Sequence, residues 1–227
     1  MKCFILTPNF DCKTHSGLIW ATDADRKTAI KSSSNISWNP YRDVSYKVGA
    51  NTWAATGPLT EESKAELAKL YVLAAGASAS LEHSHVIGDP DSSIYVDFAV
   101  DDAFVEVMNA LDSSLFEFTQ HKNIIDSERD CSPWNRPVYL ATVLSTLPTY
   151  NLEKSDLRIA TGVKKTHSGS YRSYGSKRVV KASVVRENIL WRDAYTREVM
   201  CTQPALDALA MIGVPEWDTR EIEVFDD

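Results

Sequence analysis

Few residues in this chain have the types and spacing that catalysis or metal binding requires. His83 and His85 lie two residues apart, and in a strand this spacing places both imidazoles on one face, where they could bind a metal ion. No third ligand follows at a suitable spacing. We therefore interpret the pair as surface histidines in an Asp-rich loop, and the sequence predicts neither a metal nor a cofactor.

Nucleophilic chemistry is equally poorly supported. The Gly-x-Ser-x-Gly motif is absent, and the His-Ser-Gly-Ser at residues 167–170 resembles a hydrolase site only superficially. Cys201 precedes a predicted helix, where a thiol can have a lowered pKa, although a buried structural cysteine is the favoured interpretation. Trp191-Arg192-Asp193 is interpreted as a core tryptophan beside an Arg–Asp pair that begins an exposed connection. We therefore expect no enzymatic activity.

Charged residues are segregated along the chain, whose formal net charge is −7. Between Leu70 and His121 there is no Lys or Arg. That window holds nine acidic residues: Glu82, Asp89, Asp91, Asp97, Asp101, Asp102, Glu106, Asp112 and Glu117. From Asn151 to Leu190 the balance reverses, with nine basic and three acidic residues. Such an uneven distribution of charge usually reflects the binding partners of a protein rather than its fold.

The basic half of this pattern contains a candidate nucleic-acid contact at residues 164–181. Its core, residues 166–178, combines bases for phosphates, tyrosines for stacking and Gly/Ser for close approach. The same composition is typical of a solvated hairpin tip between strands predicted at 157–163 and 179–185, which is the favoured interpretation. The segment contains no Gly-Lys-Ser/Thr ending, so it lacks the motif of a phosphate-binding loop. Nucleic-acid binding through residues 164–181 is therefore the alternative function, and we expect it less than protein binding.

Composition indicates an ordinary globular protein, with 44% hydrophobic and 24% charged residues. No apolar run approaches the roughly 18 to 20 residues that span a bilayer. Residues 1–8 stop being apolar too early for a signal peptide and predict a first strand. Cys3, Cys12, Cys131 and Cys201 form no C-x-x-C pair, so we expect free, mostly buried thiols in a reducing compartment. The sequence thus predicts a cytoplasmic protein without a membrane segment.

The pattern of apolar residues predicts a single α+β domain over residues 1–227, with a mixed or antiparallel sheet flanked by about three helices. A long helix is expected from Glu61 to Ala75, and a second after Asp101, where apolar residues recur at helical spacing. Strands are predicted at residues 2–7, 17–21, 44–48, 93–100, 115–119, 138–144 and 157–163. The first two are expected to pair as a hairpin. The polar loop at 126–133 is the candidate subdomain boundary.

Residues 177–217 form the most regular stretch. A valine-rich strand at 179–185 is followed by a polar turn at 186–188 and a short apolar run at 189–191. After the return to apolar residues at 199–201, Thr202 stands at a helix N-cap position with Pro204 in the first turn. The local signals agree with one another, as they do in a folded β–β–helix unit.

This order resembles the C-terminal signature of a bacterial immunity-protein family. The anchors are Arg-Glu-Asn-Ile, Leu-Trp-Arg-Asp, Val-Met-Cys-Thr, a short helix and Gly-Val-Pro. Members of that family occur in polymorphic-toxin loci, and it was first catalogued as a domain of unknown function (immunity family eleven). Residues 105–118 and 134–144 are similar to its middle section, so the resemblance covers Val105 to Trp217. It implies a non-catalytic inhibitor that binds and neutralises a cognate toxin domain.

The acidic window is the candidate surface for that partner. Carboxylates steer a cationic protein towards its binding site and occupy the positions of nucleic-acid phosphates, as suits a basic nuclease-type toxin. The competing interpretation is a solvated face that only keeps the protein soluble. The predicted contact residues, some of which could instead turn inward or cap helices, are Asp89, Asp91, Asp97, Asp101, Asp102, Glu106 and Asp112.

Overall fold

The fold is α+β, with mixed and antiparallel sheets, as predicted. The computed structural model describes residues 1–8, 17–21, 61, 64–65, 68–69, 71–75, 86–88, 97–126, 131–132, 136–159, 171–212 and 217–227. For residues 8, 17–21, 71–75, 86–88 and 126 it describes the backbone alone. The predicted strand at 44–48, His83, His85 and Cys12 lie outside the described residues.

The described residues contain fifteen strands and three helices with defined bounds. The strands are β1 (Cys3–Pro8), β2 (Gly17–Ala21), β3 (Tyr71–Ala75), β4 (Val86–Gly88), β5 (Phe98–Val100), β6 (Phe116–Gln120), β7 (Ile124–Asp126), β8 (Tyr139–Val143), β9 (Thr146–Leu147), β10 (Leu157–Ile159), β11 (Tyr171–Ser173), β12 (Val179–Lys181), β13 (Leu190–Asp193), β14 (Val199–Thr202) and β15 (Trp217–Phe225). The helices are α1 (Asp102–Asp112), α2 (Ala182–Glu187) and α3 (Gln203–Met211).

The largest sheet has six strands in the order β12-β15-β1-β14-β13-β9. Apolar β1 lies inside this sheet and pairs antiparallel with both β14 and β15. The outer pairs, β12 with β15 and β9 with β13, are parallel. A mixed sheet results, and two strands close to the ends of the described chain are neighbours in it.

A second, four-stranded sheet has the order β4-β5-β8-β6 and is antiparallel. The continuous apolar run at 138–144 predicted a central strand, and β8 indeed lies between β5 and β6 with four of its five residues buried. Phe98 of β5 contacts Trp217 of β15 edge to face, with ring centroids 4.7 Å apart. Burying a phenylalanine contributes about 1.5–3 kcal/mol, so this contact helps to join the two sheets.

Helix α1 forms as the sequence predicts. The Asp101 carboxylate accepts a hydrogen bond from the Phe104 backbone N–H at 3.1 Å and so caps the helix. Phe104 and Met108, one turn apart, are fully buried and pack in one apolar cluster with residues of both large sheets. The N-cap and the apolar stripe of α1 each depend on residues a few positions apart, so both can be predicted from the sequence.

The predicted long helix ends earlier than expected, because residues 71–75 form strand β3 instead. Glu61, Lys64 and Ala65 are helical, and the Ala68 N–H donates to the Lys64 carbonyl at 2.9 Å. Strand β3 pairs with β2 antiparallel and with β7 parallel. The expected hairpin of residues 2–7 with 17–21 is therefore also wrong: β2 takes β3 as its partner. Pairing over a long sequence separation overrides the local pattern.

The predicted valine-rich strand 179–185 is shorter than expected, because helix α2 begins at Ala182. A residue outside α2 stabilises the first turn of this helix. The Asp227 carboxylate accepts hydrogen bonds from the Ser183 N–H at 2.9 Å and from the Ser183 hydroxyl at 2.7 Å. These hydrogen bonds lower the pKa of Asp227. The expected pairing of 157–163 with 179–185 is also wrong, since β10 pairs with β11.

Candidate functional site

Helices α1 and α3 lie side by side and bury their apolar faces in the same core cluster. Phe104 and Met108 of α1 point inward, as do Ala205 and Leu209 of α3. The spacing of these residues, four along each helix, gives each helix one buried face and leaves the opposite face to solvent.

The solvent side of this helix pair is acidic. Asp102 and Glu106 of α1 and Asp207 of α3 are exposed, and Asp112 at the end of α1 is partly exposed. Neither helix contains a Lys or an Arg. We call this group of four carboxylates, Asp102, Glu106, Asp112 and Asp207, the acidic two-helix surface. It presents negative charge that no base on the same two helices neutralises.

Two features of the α1 carboxylates disfavour the helix. Asp102 and Glu106 are four residues apart, so two like charges lie on neighbouring turns and repel each other. Asp112 lies at the negative end of the helix dipole, where an acid is unfavourable. Its carboxylate accepts the Ser114 N–H at 2.8 Å and the Ser114 hydroxyl at 2.7 Å, and these bonds lower the pKa of Asp112. Asp112 therefore stays ionised despite its position.

An exposed apolar side chain accompanies the carboxylates. Met211, the last residue of α3, is 81% exposed, and the neighbouring Ala210 is also exposed. Methionine is flexible and polarisable, and it adapts to the surface of a protein partner. Met211 lies one helical turn after Asp207, and methionine is enriched at protein-binding surfaces.

Asp97 and Asp101, two of the predicted contact residues, are not on this surface. The Asp97 carboxylate lies between sheets, where it pairs with Arg192 and accepts the Val143 N–H at 2.7 Å. Asp101 is fully buried, caps α1 and pairs with Arg136 at 3.0 Å. Both carboxylates stabilise the fold and are inaccessible to a partner. Asp89 and Asp91 lie outside the described residues, which leaves Asp102, Glu106 and Asp112.

Arg192 and Asp193 differ most from expectation, because the connection predicted to be exposed is a buried strand. Arg192 is 2% exposed and Asp193 is fully buried. Arg192 pairs with Asp97 rather than with its neighbour, since alternate residues of a strand point to opposite faces. Trp191 is a core residue, as predicted, and its indole N–H donates to the Thr149 hydroxyl at 2.6 Å.

Asp193 organises the turn between β13 and β14. Its carboxylate accepts the Thr149 N–H at 3.0 Å, the Tyr195 N–H at 2.9 Å and the Thr196 N–H at 2.7 Å. Burial still raises the pKa of Asp193, because removal from water outweighs these donors. Arg197, with φ of 69°, completes the turn. The carboxylate is enclosed by backbone and serves the turn.

The described cysteines include two buried thiols. Cys3 and Cys201 lie on adjacent strands and are fully buried, whereas Cys131 is exposed. Burial raises the pKa of Cys3 to about 12 and also raises that of Cys201. The alternative of a lowered-pKa thiol at Cys201 is therefore wrong, and the structural interpretation holds.

The basic segment proposed as the alternative site is divided by the structure. Residues 164–170 lie outside the described residues. Of the others, Tyr171 is buried, Arg178 pairs with Glu198, and the Lys181 ammonium donates to the Pro148 carbonyl at 2.8 Å. Tyr174 is 59% exposed. Only part of the segment can therefore face a partner.

A recess of about 440 Å³ lies beside the start of α1, and basic and polar side chains dominate its wall. The lining residues are Gln120, His121, Lys122, Ile124, Ser132, Arg136, Pro137 and Val138. Its chemistry suits a small anion rather than a metal cation. Across the described ranges, no group of three or more His, Cys, Asp or Glu residues could hold a metal ion, and no helix could cross a membrane.

No protein-family model matches this chain, and no curated protein matches it. Sequence reasoning missed Asp207, which lies outside the acidic window yet is exposed on α3, the helix that packs beside α1. The signal was present: Asp207 falls on the side of α3 opposite Ala205 and Leu209. Only the packing of α1 against α3 places the helix that carries Asp207 beside the helix that carries Asp102 and Glu106.

Proposed function

We propose that this protein is a cytoplasmic, non-catalytic immunity protein that binds and neutralises a toxin domain through the acidic two-helix surface. The observation that carries the proposal is the exposure of Asp102, Glu106 and Asp207 on two packed helices that contain no basic residue. The resemblance of residues 105–217 to immunity proteins supplies the class of function.

Charge favours a cationic partner. Carboxylates grouped on one surface attract a basic domain over roughly a Debye length, about 10 Å at 0.1 M salt, and raise its association rate. A nuclease-type toxin has basic side chains where it holds phosphates, and the acidic surface offers carboxylates in their place. Met211 then supplies apolar contact area that strengthens the complex once it has formed.

Inhibition by binding alone agrees with how the described buried acids are used. Asp97, Asp101 and Asp193 each accept backbone hydrogen bonds, and the first two also pair with arginines. An acid committed to backbone donors and an arginine has little freedom to act as a general base. The way these buried acids are used therefore favours a protein that inhibits by presenting a binding surface.

The test is co-expression with a candidate basic nuclease-type toxin domain from the same genome, followed by association kinetics with the purified pair. A triple variant, Asp102→Lys with Glu106→Lys and Asp207→Lys, reverses the surface. We expect its association rate at low salt to fall by at least about tenfold and growth protection to be lost. The matched control, Glu187→Lys with Asp218→Lys and Glu223→Lys, makes the same charge change at exposed positions off the two helices.

The control variant should bind and protect like the parent protein. If both triple variants lose binding equally, general charge and not this surface determines affinity. If the parent protein neither binds nor protects against the toxin, the immunity function itself is wrong.

A further inference from the structure

Strands β10 and β11 form a two-stranded ribbon with two different faces. Leu157 and Tyr171 on one face are buried against the core, and the Tyr171 ring packs edge to face on Tyr195 at 5.3 Å. On the other face, Arg158 and Arg172 are exposed. The ribbon is thus anchored by its apolar face and presents its basic face to solvent.

The outward face brings two arginines together. Arg158 and Arg172 are directly opposite each other in the antiparallel register. Side chains in such a pair lie on the same face with Cβ atoms about 4.5–5.5 Å apart, and like charges there destabilise the pairing. From Asp156 to Arg186 the sequence contains eight basic residues and one acid, Asp156. The Arg172 guanidinium also donates to the Tyr171 carbonyl at 3.0 Å, and the exposed pair presents two neighbouring positive charges to an anion.

Tyr174 extends the same face, and hydrogen bonds stabilise the backbone of its turn. The Arg158 guanidinium lies over its ring, 5.7 Å from the centroid. The Tyr174 N–H donates to the Asp156 carbonyl at 2.9 Å, and the Lys177 N–H donates to the Asp156 carboxylate at 3.0 Å. Gly175 allows this turn to close, since a Cβ there would lie 2.3 Å from an Asp156 carboxylate oxygen. An exposed aromatic ring therefore lies beside Arg158 at this end of the ribbon.

We propose that the outward face of the β10–β11 ribbon, formed by Arg158, Arg172 and Tyr174, binds single-stranded nucleic acid. The two guanidiniums contact successive phosphates, and a base stacks on the exposed Tyr174 ring. Paired cations with an aromatic platform are the usual means of holding a single strand without sequence preference. The site is separate from the acidic two-helix surface and does not depend on the immunity function.

The experiment measures fluorescence anisotropy of labelled oligodeoxythymidylate and oligouridylate with the full chain across a salt series. The double variant Arg158→Ala with Arg172→Ala removes two phosphate contacts. The slope of log K for binding against the log of the salt concentration should therefore become shallower by about 1.4. Tyr174→Ala should weaken binding about 5- to 150-fold, whereas Tyr174→Phe keeps the ring and should bind like the parent. The control, Lys2→Ala with Arg186→Ala, removes two bases from exposed ion pairs elsewhere.

Each outcome supports or overturns the proposal. Equal binding of the two oligonucleotides indicates contacts to phosphate and base faces only, and tighter binding of the uridylate adds a contact to the ribose hydroxyl. The proposal is wrong if the parent protein binds neither oligonucleotide at low salt. It is also wrong if the control weakens binding as much as the arginine variant, or if polyglutamate competes as well as the oligonucleotide. Circular dichroism of each variant checks that the chain remains folded.

Discussion

Arg192 and Asp97 lie 95 positions apart in the sequence and form a two-pronged ion pair between the six-stranded and four-stranded sheets. The guanidinium is 2% exposed and the Asp97 side chain 10% exposed. Because both ions are removed from water, each depends on the other and on nearby polar groups to offset the cost of burial.

Removing one partner of this pair should destabilise the protein strongly. Asp97→Ala leaves the Arg192 guanidinium buried without its carboxylate and also removes the acceptor of the Val143 N–H. We expect the free energy of unfolding, measured with urea, to fall by about 3–5 kcal/mol. Arg186→Ala is the control, because its ion pair with Asp226 is exposed and contributes little. Similar losses in the two variants would contradict a special role for the buried pair.

Asp101 and Asp102 are adjacent, yet their substitutions should have different effects. Asp101→Ala removes the cap of α1, worth about 0.5–2 kcal/mol, and deprives Arg136 of a partner. Asp102→Ala changes an exposed side chain, so stability should hardly change while toxin association slows. Thermal unfolding and association kinetics on both variants test this contrast. If Asp102→Ala unfolds as readily as Asp101→Ala, the boundary between buried cap and exposed surface is misplaced.

The raised pKa of Asp193 predicts a specific pH dependence. A carboxyl whose pKa is higher in the folded state than its unfolded value of about 3.9 adds most stability when it is protonated in both states. That contribution is lost as pH rises through the folded pKa. The stability advantage of the parent protein over Asp193→Asn should therefore shrink from about pH 4 to about pH 7. Urea unfolding at both pH values measures it, and an advantage that grows with pH would show that the pKa is lowered instead.

The buried thiols should resist modification. With the pKa of Cys3 near 12, only about one thiol in 10⁴ is ionised at a pH of about 8, and Cys201 is buried as well. Brief treatment of the native protein with iodoacetamide should label Cys131 and leave Cys3 and Cys201 unlabelled, as read by peptide mass spectrometry. Unfolding in urea should make all three react. Rapid native labelling of Cys201 would restore the reactive-thiol hypothesis.

Gly175 and Asp156 should be energetically coupled. Gly175→Ala forces the Asp156 carboxylate aside and breaks its hydrogen bond with the Lys177 N–H, so we expect a loss of about 1–3 kcal/mol. In Asp156→Ala the carboxylate is already gone, and adding Gly175→Ala should then cost much less. Unfolding free energies of the two single variants and the double variant give the coupling. Additive losses would mean that the turn closes without this close approach.

Sequence reasoning succeeded where a structure depends on neighbouring residues. The Asp101 cap, the α1 stripe and the apolar run of β8 are all determined within a few positions, and each was predictable. Strand β3 was not, because Tyr71 to Ala75 fit a helical stripe and become a strand only through β2 and β7.

In the candidate site, too, only the features that depend on neighbouring residues could be predicted from the sequence. The absence of Lys and Arg predicted the acidic character of α1. The burial of Asp97 could not be predicted, because its partner Arg192 is distant in sequence. Nor could spacing reveal that Asp207 joins Asp102 and Glu106, since this follows from the packing of two helices. Patterns in the sequence identify charge, and tertiary packing decides which charges a partner can reach.

The position of β1 inside the six-stranded sheet has a consequence for synthesis on the ribosome. Leu6 pairs with Val199, and Cys3 pairs with both Thr202 and Ile222, so this strand has no sheet partners until the far end of the sequence emerges. Contacts this distant in sequence slow folding, because a long loop must close first. The nascent chain therefore carries Phe4, Ile5 and Leu6 unburied through most of translation, a period in which chaperones can bind the segment and aggregation can compete with folding.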